Sequence, residues 1–175
     1  CYKWLDTIPL TKVWEQMNLA WQYDATRIWV VNVGDLKPME FPIEYFLTFA
    51  WDPAAWPYER IGEVSVQWTA REFGSGHATE IAALVNGYTK LNSRWKPEMM
   101  APETFSLVNY REAERVLAEW ADLRARAEKV DAALPAAAHD AKSAMPRIDR
   151  LLGAPSVPVG TGRPSTIVYR TASVS

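Results

Sequence analysis

The chain has 175 residues, 49% hydrophobic and 23% charged, with a formal net charge of −2 and a single cysteine. That length accommodates one domain, or a domain and a half. Near-neutral charge without a basic block argues against a phosphate backbone as the main partner, and no apolar run nears the ~20 residues of a membrane span. One cysteine forms no internal disulfide and leaves the compartment open. The opening Cys1-Tyr2-Lys3-Trp4 has no signal-peptide pattern, and Cys1, with no His near it in sequence, reads as incidental rather than nucleophilic. Aromatic content is high, with nine Trp, seven Tyr and five Phe. Most of these belong in a core, and a minority are available as a sugar-stacking surface.

In chain order, Leu10 to Tyr23 predicts an amphipathic helix, with Val13, Trp14, Met17, Ala20 and Trp21 on one face. Thr7 or Thr11 is the expected cap, and Pro9 suits a position near the start. The run Arg27–Val33 predicts a strand; its Ile-Trp-Val-Val core has the pattern of a buried parallel strand. Pro38 and Pro42 bracket the loop that follows and keep it from becoming helix. A short apolar helix is expected over Ile43–Ala50, then a break at Asp52-Pro53-Ala54-Ala55-Trp56-Pro57. Beyond the break come three helical patterns, Glu59–Phe73, His77–Leu91 and Val108–Val130, with no strand between them. Such a succession favours an antiparallel bundle. The last pattern is the best formed, with Val116, Leu117, Trp120, Leu123 and Ala127 as its stripe and a charge run on the solvated remainder. After about Ala141 the period is lost, and an irregular tail is expected with one stray strand at Thr166–Tyr169.

The loop after the strand carries Asn32, Asp35, Lys37 and Glu40. Loops at the carboxyl ends of strands are where α/β folds place ligands. Its carboxylates suit acid, base or hydroxyl-binding roles, Lys37 suits a substrate carboxylate, and Asn32 both donates and accepts. A plain polar turn at Gly34-Asp35 and Lys37-Pro38 explains the same residues. His77 and His139 have no metal-ligand spacing around them, so no metal and no cofactor are expected. Gly74-Ser75-Gly76 lacks the P-loop Lys-Ser/Thr pair, and no G-x-S-x-G element is present.

The strings Tyr2-Lys3-Trp4-Leu5-Asp6-Thr7-Ile8-Pro9, Val13-Trp14-Glu15-Gln16-Met17 and Trp29 to Glu40 resemble glycoside hydrolase family 115, the xylan α-1,2-glucuronidases. So do Gly87-Tyr88-Thr89-Lys90-Leu91-Asn92, Lys96-Pro97-Glu98 and Phe105 to Arg115. The resemblance spans roughly residues 2–140. It implies an internal fragment of a larger enzyme, an α+β piece that is mostly α. Residues 1–57 would end a (β/α)8 barrel, 58–140 would begin a helical bundle, and 141–175 would be an irregular tail, frameshifted or naturally variable. The implied reaction is inverting hydrolysis that removes glucuronic acid or its 4-O-methyl ether from xylan, with the general acid and base upstream of Cys1. Asn32, Asp35, Lys37 and Glu40 would line the substrate site, with Trp4 and Thr7 as wall contacts. The implied partner is glucuronoxylan or its oligosaccharides, with neither nucleic acid nor membrane. The parent would be secreted or periplasmic, and a homodimer is compatible with it. The isolated chain is expected to be inactive.

The competing readings are a helical interaction module and a small carbohydrate-binding module using Trp51, Trp56 or Trp95.

Overall fold

The computed structural model describes residues 6–33, 36, 39–134 and the backbone of 167–171. Among them the chain is mostly helical. Helix α1 (Leu10–Gln22) precedes strand β1 (Ile28–Asn32) and helix α2 (Glu40–Trp51). Helices α3 (Ile61–Phe73), α4 (Ala78–Asn92) and α5 (Glu112–Ala133) follow, and strand β2 (Ile167–Thr171) comes last.

Helix α1 begins where Pro9 places its carbonyl to accept from the amides of Lys12 and Val13, at 2.9 and 3.4 Å. Pro9, rather than Thr7 or Thr11, is the cap residue. Proline costs nothing here, because the first turn's N–H groups lack intrahelical partners anyway. Leu10 is buried, and Val13, Trp14 and Met17 pack on the core as the periodicity predicts.

Helix α2 is longer than expected. It starts at Glu40 and contains Pro42 as its third residue rather than beginning after it. A proline in the first turn removes no ladder hydrogen bond, so the helix tolerates it. Glu40 in that turn faces the positive end of the helix dipole. Phe41, Tyr45, Phe46, Phe49 and Ala50 are all buried, so α2 is enclosed on most sides.

Strand β1 departs from the expected parallel setting. It pairs antiparallel with β2, with Trp29 opposite Arg170 and Val30 opposite Tyr169. A strand's backbone donors and acceptors need a ladder, and β2 supplies one. Only one face of β1 is covered: Trp29 is 8% exposed, while Ile28 and Val30 are 62% and 55% exposed. The apolar run therefore does not mark burial on both faces. The stray strand expected at Thr166–Tyr169 is Ile167–Thr171. The rest of the expected irregular tail lies outside the described residues.

The core joins these pieces. The Trp29 ring lies parallel to Phe49, with centroids 6.2 Å apart, and tilts against Phe46. Phe41 sits 4.7 Å from Trp68 of α3, and Ile81 and Val85 of α4 complete the cluster. Polar groups tie α3 to α4. The buried Thr69 hydroxyl donates to the Ala78 carbonyl at 2.7 Å, and Ser65 Oγ donates to Asn86 Oδ1 at 3.1 Å. Gly74 ends α3 with φ of +87°, a conformation for which a side chain would be strained. On the surface, Arg71 grips Glu44 through two bonds of 2.8 and 2.6 Å, linking α3 to α2. Both side chains are about half exposed, so the pair contributes at most about 1 kcal/mol.

Helices α4 and α5 meet in a second cluster of Leu84, Tyr88, Leu91, Leu123 and Ala127. Val116 also turns inward, but Leu117, expected in the stripe, is 70% exposed. The stripe is narrower than the periodicity suggested, because α5 has a helix on one side only among the described residues. Its charges do form exposed i,i+4 pairs, Arg124–Glu128 and Arg126–Asp122. No helix among the described residues is long and apolar enough to cross a membrane.

The close approach of α4 to α5 rests on Gly87, where an added Cβ would lie 2.9 Å from Leu123 Cδ1. Leu123→Ala should cost about 2–5 kcal/mol by leaving a cavity. Gly87→Ala alone should cost about 1–3 kcal/mol by overpacking, more than the roughly 1 kcal/mol it gains in helix propensity. Combined, the two should cost less than their sum, since the new methyl enters the vacated space. Urea denaturation of the single and double variants checks this, and strict additivity would mean that the two positions do not touch.

Candidate functional site

Strand β1 empties at Asn32 into the segment that leads to α2, as the sequence predicted. Asn32 is exposed at the strand's end and Val33 is half-buried. Met39 turns the chain into α2: its amide donates to the Leu36 carbonyl at 2.9 Å, and its carbonyl accepts from Ile43 at 3.2 Å. Of the other predicted site residues, Asp35, Lys37 and Trp4 lie outside the described residues.

The structure brings two of the remaining three polar candidates, Thr7 and Glu40, to one corner through a residue the sequence reading did not single out. Asp6 precedes α1 and is only 3% exposed. Its backbone N–H donates to Met39 Sδ at 3.3 Å, which docks the segment before α1 onto the entry of α2. Thr7, next in sequence, is buried as well. Glu40, one residue beyond Met39, is half-buried. Asp6 has φ of +43°, a left-handed value that Asp tolerates better than most residues.

Electrostatics at this corner follow from burial. Asp6 Oδ1 is shielded from water and has no hydrogen-bond partner among the described residues. Burial is the main cause that pushes the Asp6 carboxyl well above the usual carboxylate range, and the neighbouring Glu40 charge pushes it the same way. A carboxyl whose pKa is raised holds its proton to higher pH, and in that form it is a hydrogen-bond donor and an acid rather than a fixed charge. Tyr45, on α2, is a second buried group whose hydroxyl lacks a described partner, and burial raises its pKa. Asp6 stood in plain sight in the Leu5-Asp6-Thr7-Ile8-Pro9 string. Its signal was one carboxylate amid apolar residues and next to a helix-starting proline, a pattern too common to mark a site.

Elsewhere the candidates are structural. His77 Nδ1 lies 2.7 Å from Glu80 Oε2 on the first turn of α4, both in contact with solvent. Gly74-Ser75-Gly76 is a tight connection between α3 and α4 rather than a phosphate cradle. Among the three tryptophans considered for sugar stacking, Trp51 is 78% exposed at the end of α2. Trp56 is covered by the Arg60 guanidinium 4.6 Å above its ring. Trp95 lines a cavity between the end of α4 and the start of α5.

Against known families, the profile described as glycosyl hydrolase family 115 matches residues 1–99. The chain belongs to glycosyl hydrolase family 115. The match contains the strand, its loop, the Asp6–Glu40 corner and helices α1 to α4, so this corner is part of a glycoside hydrolase. No curated protein matches the chain.

For this family 115 chain the Asp6 carboxyl makes a signed prediction. Its folded pKa is raised, so the folded state holds a proton that the unfolded state releases above about pH 4. The group's contribution to stability is therefore full below about pH 4 and falls as pH rises from there toward the folded pKa. Asp6→Asn, which also tolerates positive φ, should flatten the decline of the urea midpoint between pH 4 and neutrality. An unchanged slope would mean that Asp6 is not the group titrating.

Proposed function

We propose that this chain is part of a glycoside hydrolase that removes glucuronic acid or its 4-O-methyl ether from xylan by inverting hydrolysis. In this reading residues 1–57 close a (β/α)8 barrel and 58–140 begin a helical bundle, with the boundary at the break around Pro53 and Pro57. The remainder, 141–175, is an appended tail. The observation that carries the reading is the family match over the strand, loop and helix that present Asn32 and Glu40. In (β/α)8 enzymes the loops at strand carboxyl ends make the active site.

The loop residues divide the work. Lys37 attracts the uronate carboxylate, Asn32 and Asp35 take sugar hydroxyls, and Glu40 with Trp4 forms the wall, backed by the buried Thr7. Asp6 supports that wall from behind. It is too buried to reach a substrate, and a protonated carboxyl there avoids placing a second negative charge beside Glu40, where a uronate must approach. Inversion needs an acid and a base about 6.5–9.5 Å apart across the scissile bond. Both are assigned to barrel strands upstream of Cys1. The chain on its own then contributes binding groups without the catalytic pair.

Two assays of the 175-residue protein test this. Incubated with 4-O-methylglucuronoxylan, it should release no uronic acid above background. Titrated with methyl glucuronoside, it should show NMR shifts at the Asn32 and Glu40 amides that vanish in Lys37→Ala. Turnover by the chain alone would overturn the assignment of the acid and base upstream. Absence of any shift near Asn32 would overturn the uronate wall.

A further inference from the structure

A separate cleft of about 480 Å³ opens between the end of α4 and the start of α5. Its volume falls within the roughly 300–1,000 Å³ of small-molecule sites. One wall is the stretch after α4, with Arg94 and Trp95; the other is the face of α5 that carries Glu112, Arg115 and Glu119. Val116, buried, and Phe105, half-buried, supply its apolar lining, and Thr104 adds a hydroxyl.

The walls are built rather than loose. Ser106 organises the connection. Its carbonyl accepts from Ala113 at 3.0 Å, its hydroxyl accepts from Asn109 at 2.8 Å, and its amide donates to Glu112 Oε2 at 3.2 Å. The turn into α5 runs through Tyr110 and Arg111, both with left-handed φ near +50°. Across the cleft, Arg94 is ion-paired with Glu119. Trp95 is 47% exposed, and its indole N–H donates to the Met99 carbonyl at 3.1 Å. That bond satisfies the ring's polar edge and fixes its plane, so what the ring offers a ligand is its apolar face.

The chemistry of the lining selects among ligands. Two arginines face two glutamates, which leaves the cleft without net charge. A nucleic acid backbone would need an excess of cations. A purely apolar ligand would strand the charged groups without water. A polyhydroxylated ring satisfies both requirements. Its C–H face packs on Trp95, and its hydroxyls exchange hydrogen bonds with guanidinium donors and carboxylate acceptors. Arg115, which has no ion-pair partner among the described residues, remains available to donate.

We propose that this cleft is a second carbohydrate site that holds a neutral stretch of the polysaccharide, away from the Asp6–Glu40 corner. That the sugar is a xylan backbone rests on the preceding reading of function; that the site takes a sugar does not.

The test uses the full chain labelled with 5-fluorotryptophan, the Trp95 signal assigned by Trp95→Phe, and xylotetraose and cellotetraose as probes. Xylotetraose should shift the Trp95 fluorine signal, and Trp95→Ala should weaken binding about tenfold or more, equivalent to roughly 1.4 kcal/mol. Circular dichroism of Trp95→Ala checks that the fold persists, as expected for so exposed a ring. Glu119→Gln, which loosens Arg94, should weaken binding while leaving the fold intact. A Trp95 shift with cellotetraose but not xylotetraose would support the sugar site while overturning the xylan assignment. No Trp95 shift with either sugar, or equal affinity in Trp95→Ala, would overturn the site itself. A tenfold preference for a glucuronosylated xylotetraose over the plain one, read at the Trp95 signal and retained in Lys37→Ala, would overturn the neutral-ligand assignment.

Discussion

The burial of Trp29 against α2 is the contact on which the arrangement depends. A five-residue strand has little hold on a helical protein through its ladder alone. Trp29 gives it one, lying parallel to Phe49, touching Phe46, and donating its indole N–H to the Ala25 carbonyl. That bond is local, so the ring's polar edge is satisfied within the turn that leads into the strand, and the remaining surface is free to pack. Anchoring Trp29 fixes where Asn32 emerges and therefore where the loop toward Glu40 must run. The same helix turns Phe41 onto Trp68. Strand, loop and α3 are thus positioned by successive faces of one aromatic helix, which explains why α2 is apolar nearly all the way round.

The open face of β1 follows from the same geometry. Trp29 and Val31 point toward α2, so Ile28 and Val30 must point away, since side chains alternate along a strand. In a (β/α)8 setting both faces would be covered, one by helices and one by the barrel interior. Ile-Trp-Val-Val is a sequence suited to that setting, and β2 meets only its hydrogen-bonding needs on an edge. Among the described residues, the apolar side chains Ile28 and Val30 are therefore left on the open face.

Much of this was legible in the sequence where a single physical signal dominated. The helices α1, α3, α4 and α5 were readable because apolar residues recur at helical spacing, and the strand because β-branched residues cluster around Trp29. The start of α2 was misread because Pro42 was treated as a barrier. Position decides a proline's effect, and a first-turn proline obstructs nothing. Leu117 was misread because a periodic stripe does not state how many neighbours will cover it. At the candidate site, Asn32 and Glu40 were singled out from the loop that follows the strand. Asp6 was not, because its significance comes from Met39 and Glu40, more than thirty positions away. Trp95 was named only as one of several exposed aromatics; its wall partners on α5 come together through folding and leave no local pattern.

The two polar clusters show how one chain handles carboxylates in opposite ways. An ionised carboxylate buried without a partner costs several kcal/mol, and taking up a proton avoids most of that cost. Burial pushes the Asp6 carboxyl toward that course, and the Glu40 charge beside it pushes the same way. In the cleft, Glu119 keeps both solvent and Arg94, and Glu112 keeps the Ser106 amide. Those carboxylates stay available as acceptors, whereas burial and the Glu40 charge favour the neutral form of Asp6, which can also donate. The same side-chain type is thus kept as an acceptor where solvent, a cation or an amide reaches it, and is pushed toward its neutral form where burial and a like charge surround it.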